Sequence, residues 1–355
     1  MEENKLMNLN DKKWKEFHFS SFVNSIDRGK VKDLSKIDVG ETAVIAAAGA
    51  NEGISTFANC NKKYKNAMTI SLNGVGTGTA FVHNYSFNLN SDCGVVITGS
   101  KMSIDVLRFF QCCINMHKNK FSYGYKANET RLKRQIILLP VKDNNEPDFE
   151  YMEHYIKEIK FKKKEEYVKF CKNKLDELGK EVSILPLNKI EWKEFFVTDI
   201  FNKPMRGKRI ISANYIDGDK PVVSSAGGNN GVIAFVGNKY KIREYENCLS
   251  VANGGVSAGF AFYHPYKFIA TDHITHFKGQ QLNKYHYLFL GTVIRNQMHT
   301  KYDFSREMTD PRLQREKIII PITKEGNPDY SYMEQYIKNI MIRKYSEYLS
   351  YLERD

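Results

Sequence analysis

The chain has 355 residues, a formal net charge of +12 and six cysteines. This length predicts two domains, each large enough to bury its own core, and the positive charge favours a polyanionic partner such as nucleic acid. No cysteines have C-x-x-C spacing and no apolar run is long enough to cross a bilayer, so zinc sites of that type and membrane spans are not expected. Unpaired cysteines and the lack of a signal peptide predict a reduced, cytoplasmic protein.

The sequence repeats itself with a long period. PDFEYMEHYIK at 147–157 returns as PDYSYMEQYIK at 328–338, with eight of eleven positions identical. Shorter blocks return in the same order after 178 to 181 residues: WKEF (14–17 and 192–195), the Gly/Asn loop (46–54 and 224–232), Asn73-Gly74 with Asn253-Gly254, His83 with His264, and the strand 131–141 with 312–322. A period of this length indicates a duplicated domain, and two similar halves suit a target that also has two halves.

Each half is predicted to begin with a sheet-rich α+β head and to end in a long helix. Short apolar runs between turn residues predict strands, whereas apolar spacings of three and four predict helices. The predicted strands include 93–98, 136–141, 268–274 and 318–322, and the helices are 105–116, 148–178, 285–297 and 330–352. The resulting domains are head 1 (1–146), helix 1 (147–180), head 2 (181–327) and helix 2 (328–355).

The two long helices have signals for their ends and an apolar stripe. Asp148 and Asp329 follow prolines and are good N-caps, and Gly179 is a natural stop. The stripes predict that the helices pair as an antiparallel coiled coil, with the two heads related by a pseudo-two-fold axis. The helix or partner interface is assigned to Met152, Tyr155, Ile156, Met333, Tyr336 and Ile337, although core packing is the alternative for Met152 and Met333, and also for Trp14 and Trp192.

No catalytic or metal-binding motif is visible. The chain lacks N-P-P-[YF], a P-loop, H-E-x-x-H and G-x-S-x-G, and no cofactor is expected in it. The run Gly74-Val75-Gly76-Thr77-Gly78 lacks the spacing of a dinucleotide-binding loop and is interpreted as a turn between strands.

Candidate DNA-binding residues lie in loops at corresponding places of the two heads. The asparagines of loops 49–53 and 227–231 can pair with adenine, although a simple Gly-Asn turn needs no ligand, and both interpretations can hold. Lysines and arginines would bind phosphates, although Arg131 and Arg312 can instead cap the following strand. The candidates are Lys30, Asn51, Tyr123, Lys126 and Arg131 in head 1, and Arg206, Lys208, Arg209, Asn229, Asn230, Ser257, Tyr302, Arg306 and Arg312 in head 2. Tyr123 and Tyr125 are matched to Tyr302 and Phe304.

With these motifs the chain resembles the specificity subunits of type I restriction-modification systems and the similar recognition subunits of type IIB systems. The resemblance covers nearly the whole chain: WKEF, the AGGNNG-like loop, FIATDHI at 268–274, and L-x-x-x-x-I-x-x-P at 132–140 and 313–321 before each long helix. Head 1 departs from the pattern, with SDCGVVI at 91–97 in place of ATDHITH at 270–276.

The resemblance implies a non-catalytic subunit that reads a bipartite sequence in double-stranded DNA. It also implies methyltransferase partner subunits, expected to be two, which supply S-adenosylmethionine and flip the target base. Restriction activity would lie in a separate or fused partner. A helix over 148–178 is about 45 Å long, so the half-sites should lie somewhat more than one DNA turn apart.

Two other classes of function stay open from the sequence. One is a tandem β-rich module that binds carbohydrate or protein, although such modules are usually secreted and seldom this basic. The other is a nuclease with an unrecognised site, which would need a carboxylate cluster repeated in both heads, and the aligned blocks contain none.

Overall fold

A computed structural model describes residues 8–31, 33–61, 63–74, 76–122 and 124–354. The chain divides into two compact units, Met1–Tyr167 and Val168–Asp355. The division falls inside the first long helix, and each unit contains one head.

The first head is built from three small sheets and an amphipathic helix. Strands β2, β8, β5 and β6 form an antiparallel sheet in the order β2-β8-β5-β6, strands β4-β3-β7 form a second, and β1 pairs with β9. The elements are β1 (Lys13–His18), β2 (Val23–Arg28), β3 (Val39–Ile45), β4 (Ile54–Ala58), β5 (Ala67–Ser71), β6 (Ala80–His83), β7 (Phe87–Leu89), β8 (Cys93–Thr98), α1 (Ile104–Asn115), α2 (Glu129–Lys133), β9 (Ile136–Val141) and α3 (Phe149–Leu178).

The second head repeats this topology. Its sheets have the orders β11-β18-β15-β16, β13-β12-β17-β14 and β10-β19, and only the short edge strand β14 has no counterpart among the described strands of head 1. The elements are β10 (Trp192–Phe196), α4 (Val197–Ile200), β11 (Met205–Arg206), β12 (Lys220–Val223), β13 (Val232–Val236), β14 (Glu244–Tyr245), β15 (Cys248–Ala252), β16 (Ala261–His264), β17 (Phe268–Ala270), β18 (Ile274–Phe277), α5 (Lys284–Met298), α6 (Asp310–Leu313), β19 (Lys317–Pro321) and α7 (Tyr330–Leu352).

The repeated blocks at the two ends of each head pair with each other. WKEF lies in β1 and in β10, and these strands run antiparallel to β9 and β19, with Trp14 opposite Pro140 and Trp192 opposite Pro321. Each tryptophan stacks on a phenylalanine but keeps more than a third of its surface exposed, so the core-packing prediction for the two tryptophans is only partly correct. The chain therefore enters and leaves each head on one two-stranded ribbon.

The long helices begin and end where the sequence predicts. Asp148 accepts a hydrogen bond from the amide of Tyr151 at 3.0 Å, and Asp329 accepts one from Tyr332 at 2.9 Å. Gly179 has a φ of 75°. This left-handed conformation ends the right-handed helix α3, and glycine adopts it more readily than other residues. The two helix predictions are confirmed to within one residue.

The apolar stripe at the start of each long helix packs on its own head. Met152 and Met333 are fully buried in the cores of head 1 and head 2. The same cores are covered by the other four residues assigned to the helix interface, namely Tyr155, Ile156, Tyr336 and Ile337. The core-packing interpretation of Met152 and Met333 is therefore confirmed. Assigning the six residues to the pairing of the helices is wrong, because the first helical turns complete the cores that β9, β19, α1 and α5 leave open.

The C-terminal part of α3 touches α7. Within the second unit, Phe170 of α3 packs edge-on against Tyr345 of α7, and the neighbouring Cys171 is fully buried. Further along the chain, Val182 bonds to Asn339 and the carbonyl of Leu185 accepts from Tyr332, so the segment that follows α3 runs antiparallel to α7. This segment is not part of α3, and the antiparallel coiled coil of the two helices stays a prediction.

The predicted short strands and helices of the heads are also present, with one exception. FIATDHI does not form one strand, since β17 ends at Ala270 and β18 begins at Ile274. Thr271 turns the chain, and its amide donates to the carbonyl of Val223 at 3.0 Å. The run 268–274 is predicted as one strand because Thr and His occur both in strands and in turns.

Candidate nucleic-acid interface

Two loops share one backbone conformation. They lie between β3 and β4 (residues 46–53) and between β12 and β13 (residues 224–231), and are here called the recognition loops. The φ angles are 51°, 51° and 74° at residues 51–53, and 49°, 52° and 76° at residues 229–231. An amide hydrogen bond closes each turn, at 2.9 Å and 2.8 Å. Glycine and asparagine tolerate this left-handed conformation best, so the composition has a backbone cause. The asparagine side chains remain exposed.

The Gly-rich turns between β5 and β6 and between β15 and β16 support the recognition loops. The hydroxyl of Ser225 donates to the carbonyl oxygen of Gly254 at 2.8 Å. In head 1, a Cβ on Gly76 would lie 2.6 Å from the carbonyl carbon of Ala48, so no larger residue fits there. The run around Gly76 is thus a supporting turn, as predicted.

The predicted match of Asn73-Gly74 with Asn253-Gly254 is wrong by one residue. The glycines with the same left-handed φ, 77° and 79°, are Gly74 and Gly255, and the amide hydrogen bonds of both turns also follow a step of 181 residues. Asn253 is buried, and its side chain bonds within its own sheet. The shift arose because two Asn-Gly pairs happen to lie in almost the same place.

The loops before α2 and α6 are braced by arginines. Arg131 and Arg312 each donate through Nη1 to a backbone carbonyl five residues earlier, at 2.9 Å and 2.5 Å. The guanidinium of Arg131 also lies 3.9 Å from the ring centre of Tyr125. Both arginines therefore shape the preceding loop rather than cap the following strand.

The aromatic correspondence in these loops differs from the predicted one. The backbone amide of Ser122 donates to the backbone carbonyl of Tyr125 at 3.1 Å, and the backbone amide of Asp303 donates to the backbone carbonyl of Arg306 at 3.2 Å. Tyr125 therefore corresponds to Arg306 and not to Phe304. The loop of head 2 presents Phe304 with 79% of its surface exposed.

Two predicted DNA-contacting residues are buried. Tyr302 is 4% exposed and its hydroxyl donates to Glu316, while Ser257 is 8% exposed and lies against Gly227 of the recognition loop. Burial also raises the pKa of Tyr302, and the hydrogen bond to Glu316 adds to this effect. These two side chains support the interface from inside, so assigning them to DNA contact is wrong for this conformation.

Arg206 is only partly available as well. Its guanidinium donates to the carbonyl of Met308 at 2.8 Å and lies 3.7 Å and 3.8 Å from the carboxylates of Glu307 and Asp310. It therefore ties the end of β11 to the loop before α6. Lys208 and Arg209, on the segment that follows β11, are exposed.

The other described candidates have side chains that are at least partly accessible to solvent. The exposed ones are Lys30, Asn51, Lys126, Lys208, Arg209, Asn229, Asn230 and Arg306, and the half-buried ones are Arg131, Arg206 and Arg312. Tyr123 lies outside the described residues. In head 2 the loops touch one another, since Thr271 donates to Ser224 at 3.0 Å and a Cβ on Gly254 would lie 3.0 Å from Glu307.

A chain of hydrogen bonds connects the sheet of head 1 to its recognition loop. Thr69 bonds to Nε2 of His83 at 2.9 Å, Nδ1 of His83 lies 3.0 Å from the hydroxyl of Tyr85, and Tyr85 donates to Oε2 of Glu52 at 2.9 Å. Burial lowers the pKa of His83 to about 4, so its imidazole is neutral at pH 7. The polar chain fixes the direction of the Glu52 carboxylate.

The second head has the same chain without its last member. Ser250 bonds to Nε2 of His264 at 2.8 Å, and Nδ1 of His264 lies 3.3 Å from the hydroxyl of Tyr266. Burial lowers the pKa of His264 to about 4 as well. The residue at the position of Glu52 is Asn230, so no carboxylate terminates the chain.

The sequence assigned no role to Glu52, and it named Phe304 only as the match of Tyr125. Glu52 could have been noticed because it interrupts a run of residues that suit left-handed turns. Phe304 carried no signal of its own, because exposure of an aromatic residue depends on the loop it occupies.

The described residues show neither a metal-binding cluster nor a membrane-spanning helix. Among these residues, no three His, Cys, Asp or Glu side chains are grouped so that they could hold a metal ion. The same residues include no helix with the length and apolar character needed to cross a membrane.

The family model for the type I restriction modification DNA specificity domain matches residues 11–168 and again residues 189–348. The chain belongs to this family and contains two copies of its domain. It is a DNA sequence-specificity subunit of a restriction-modification system, with two tandem sheet-rich domains that are each followed by a long helix.

The chain is also similar to a curated protein and to solved structures. It is 28% identical over 316 residues to the type II restriction enzyme specificity subunit S.BcgI of Heyndrickxia coagulans, covering 87% of this chain and 89% of that protein. The type I S subunit from M. genitalium is 13% identical with a TM-score of 0.46, covering 98% of this chain and 94% of the other. The HsdS subunit from Thermoanaerobacter tengcongensis is 9% identical with a TM-score of 0.30, covering 96% and 91%. The family assignment rests on the sequence match.

Proposed function

We propose that each head reads one half of a bipartite duplex target and that the chain itself performs no chemistry. The observation that carries this proposal is a pair of recognition loops with one backbone and different exposed side chains. Residues 51 and 52 are Asn and Glu, whereas residues 229 and 230 are both Asn. A shared scaffold with different base-reading groups suits two different half-sites.

The charges near these loops support contact with the DNA backbone. Lys30 in head 1 and Lys208 and Arg209 in head 2 are exposed on the segments that follow β2 and β11. Lysine and arginine at such places bind phosphates and fix the register of a protein on the duplex. The asparagines of the recognition loops then contact base edges.

Methyltransferase subunits are the partners that this role requires. The starts of the two long helices repeat in sequence, which suits two copies of one partner. In this proposal the partners carry S-adenosylmethionine and flip the base, and restriction activity resides in a partner or a separate chain. This chain holds no cofactor and acts in the cytoplasm.

Reconstitution tests the proposal. The purified chain, the methyltransferase subunits and their mixture are each incubated with duplex DNA and labelled S-adenosylmethionine. We expect sequence-specific methylation only in the mixture, and light scattering should give two methyltransferase subunits per chain. Methyl transfer or cleavage by the chain alone would overturn the non-catalytic role. Absence of duplex binding in the mixture would favour the alternative, a module that binds carbohydrate or protein.

A further inference from the structure

Glu52 occupies a backbone conformation that suits it poorly. Its φ and ψ are 51° and 22°. They lie in the left-handed region, which is unfavourable for residues other than Gly, Asn and Asp. Asn230, in the same conformation at 52° and 31°, is a favoured residue there. Head 1 therefore keeps a residue that destabilises its own turn, and such positions concentrate at functional sites.

The carboxylate of Glu52 is also oriented. The hydroxyl of Tyr85 donates to Oε2, so Nδ1 of the neutral His83 must be the donor to Tyr85, and Nε2 accepts from Thr69. Every donor in this chain points towards Glu52, and hydrogen bonds in such chains reinforce one another. The residue is nevertheless exposed, so the network holds an anionic acceptor at the surface.

An exposed carboxylate repels phosphate and can only accept hydrogen bonds when ionised. In the major groove a carboxylate is suited to the N4 amino group of cytosine, whereas an amide pairs with adenine. On the proposed DNA-reading function, we infer that Glu52 is a specificity-determining residue that accepts a hydrogen bond from a cytosine amino group in the first half-site. Asn230 at the equivalent place reads an adenine in the second half-site.

The test compares three forms of the full chain, each assembled with its methyltransferase subunits. The wild type, E52N and Y85F select duplexes from a library that is random in both half-sites, and thermal unfolding is measured in parallel. The wild type is expected to select cytosine at one position of the first half-site. E52N should lower this preference for cytosine over adenine by roughly fivefold to tenfold, which corresponds to the loss of one good base contact.

Two readouts separate base reading from a structural role. E52N should unfold at the same or a higher temperature, because asparagine suits the left-handed turn, and its second half-site should be unchanged. Y85F retains the carboxylate but removes the hydrogen bond that orients it, so the preference for cytosine should persist in weakened form and the second half-site should be unchanged. The inference is overturned if E52N keeps the wild-type preference for cytosine over adenine, or if it unfolds earlier and loses selection at every position. If the wild type selects no sequence at all, the proposed function itself fails.

Discussion

Two buried histidines couple the stability of the heads to pH. His83 and His264 are completely buried, and burial lowers the pKa of each to about 4. In the unfolded chain they titrate near the ordinary value of about 6.5, so below that pH the unfolded state binds protons that the folded state does not. Their contribution is therefore fully present above pH 6.5 and is lost as the pH falls towards 4.

We predict that each histidine costs at most about 3 kcal/mol of unfolding free energy between pH 7 and pH 4. Urea unfolding at pH 7.0 and 4.0 measures this loss. The variant His83→Gln, which cannot titrate, should show a smaller difference between the two pH values than the wild type. Equal differences would show that other groups account for the acid sensitivity.

Exposed and buried candidates should respond differently to substitution. Lys208→Ala removes an exposed cation, so DNA affinity should fall similarly for all sequences and the salt dependence should decrease by about one charge. Tyr302→Phe removes the hydroxyl that Glu316 accepts from, so it should lower stability by about 1–3 kcal/mol without changing the salt dependence. Fluorescence anisotropy titrations at several salt concentrations, with urea unfolding in parallel, distinguish the two effects.

At the scale of elements, Asn339 of α7 holds the segment that follows α3. This asparagine is 3% exposed. Its side-chain nitrogen Nδ2 donates to the carbonyl of Val182 at 2.7 Å, and its side-chain oxygen Oδ1 accepts from the backbone amide of Val182 at 3.2 Å. Nearby, the exposed Tyr332–Leu185 hydrogen bond of 2.8 Å fixes the same segment. The connection between helix and head 2 thus depends on side chains of α7.

We predict that Asn339→Ala destabilises the second unit by about 1–3 kcal/mol, because it leaves backbone polar groups of Val182 without partners. Tyr332→Phe is the matched control and should cost less than about 1 kcal/mol, since water can replace its exposed hydrogen bond. Hydrogen exchange of the amides in residues 181–187 should accelerate in the first variant and change little in the second. Similar exchange in both would contradict the role assigned to Asn339.

The sequence predicts these elements well where the signal is local. Helix ends at Asp148 and Gly179 follow from capping and left-handed glycine, and the strands β8 and β9 follow from apolar runs. The burial of Met152 agrees with the core-packing interpretation. The packing of Tyr155 and Ile156 could not be predicted, because a helix that packs on its head and a helix that packs on another helix show the same spacing. The burial of Tyr302 depends on Glu316, a partner that no periodicity identifies.

At the scale of the whole molecule, the duplication predicts two independent readers. Replacing the segment between β10 and β19 with the equivalent part of a related specificity subunit should change only one half of the methylated sequence. Methylome sequencing in cells that carry the partner methyltransferase measures both halves at once. A change in both halves, or in neither, would contradict the assignment of one half-site to each head.

The ribbon made by the first and last strands of each head has a consequence for evolution. Because β1 pairs with β9 and β10 pairs with β19, the polypeptide between them starts and finishes at neighbouring points. A replacement inside that frame leaves the following helix in place when it keeps the core that the start of that helix completes. The repeated sequence at both ends also gives two genes a common place to recombine. A lineage can thus acquire a new target in one genetic exchange while its partner subunits stay the same.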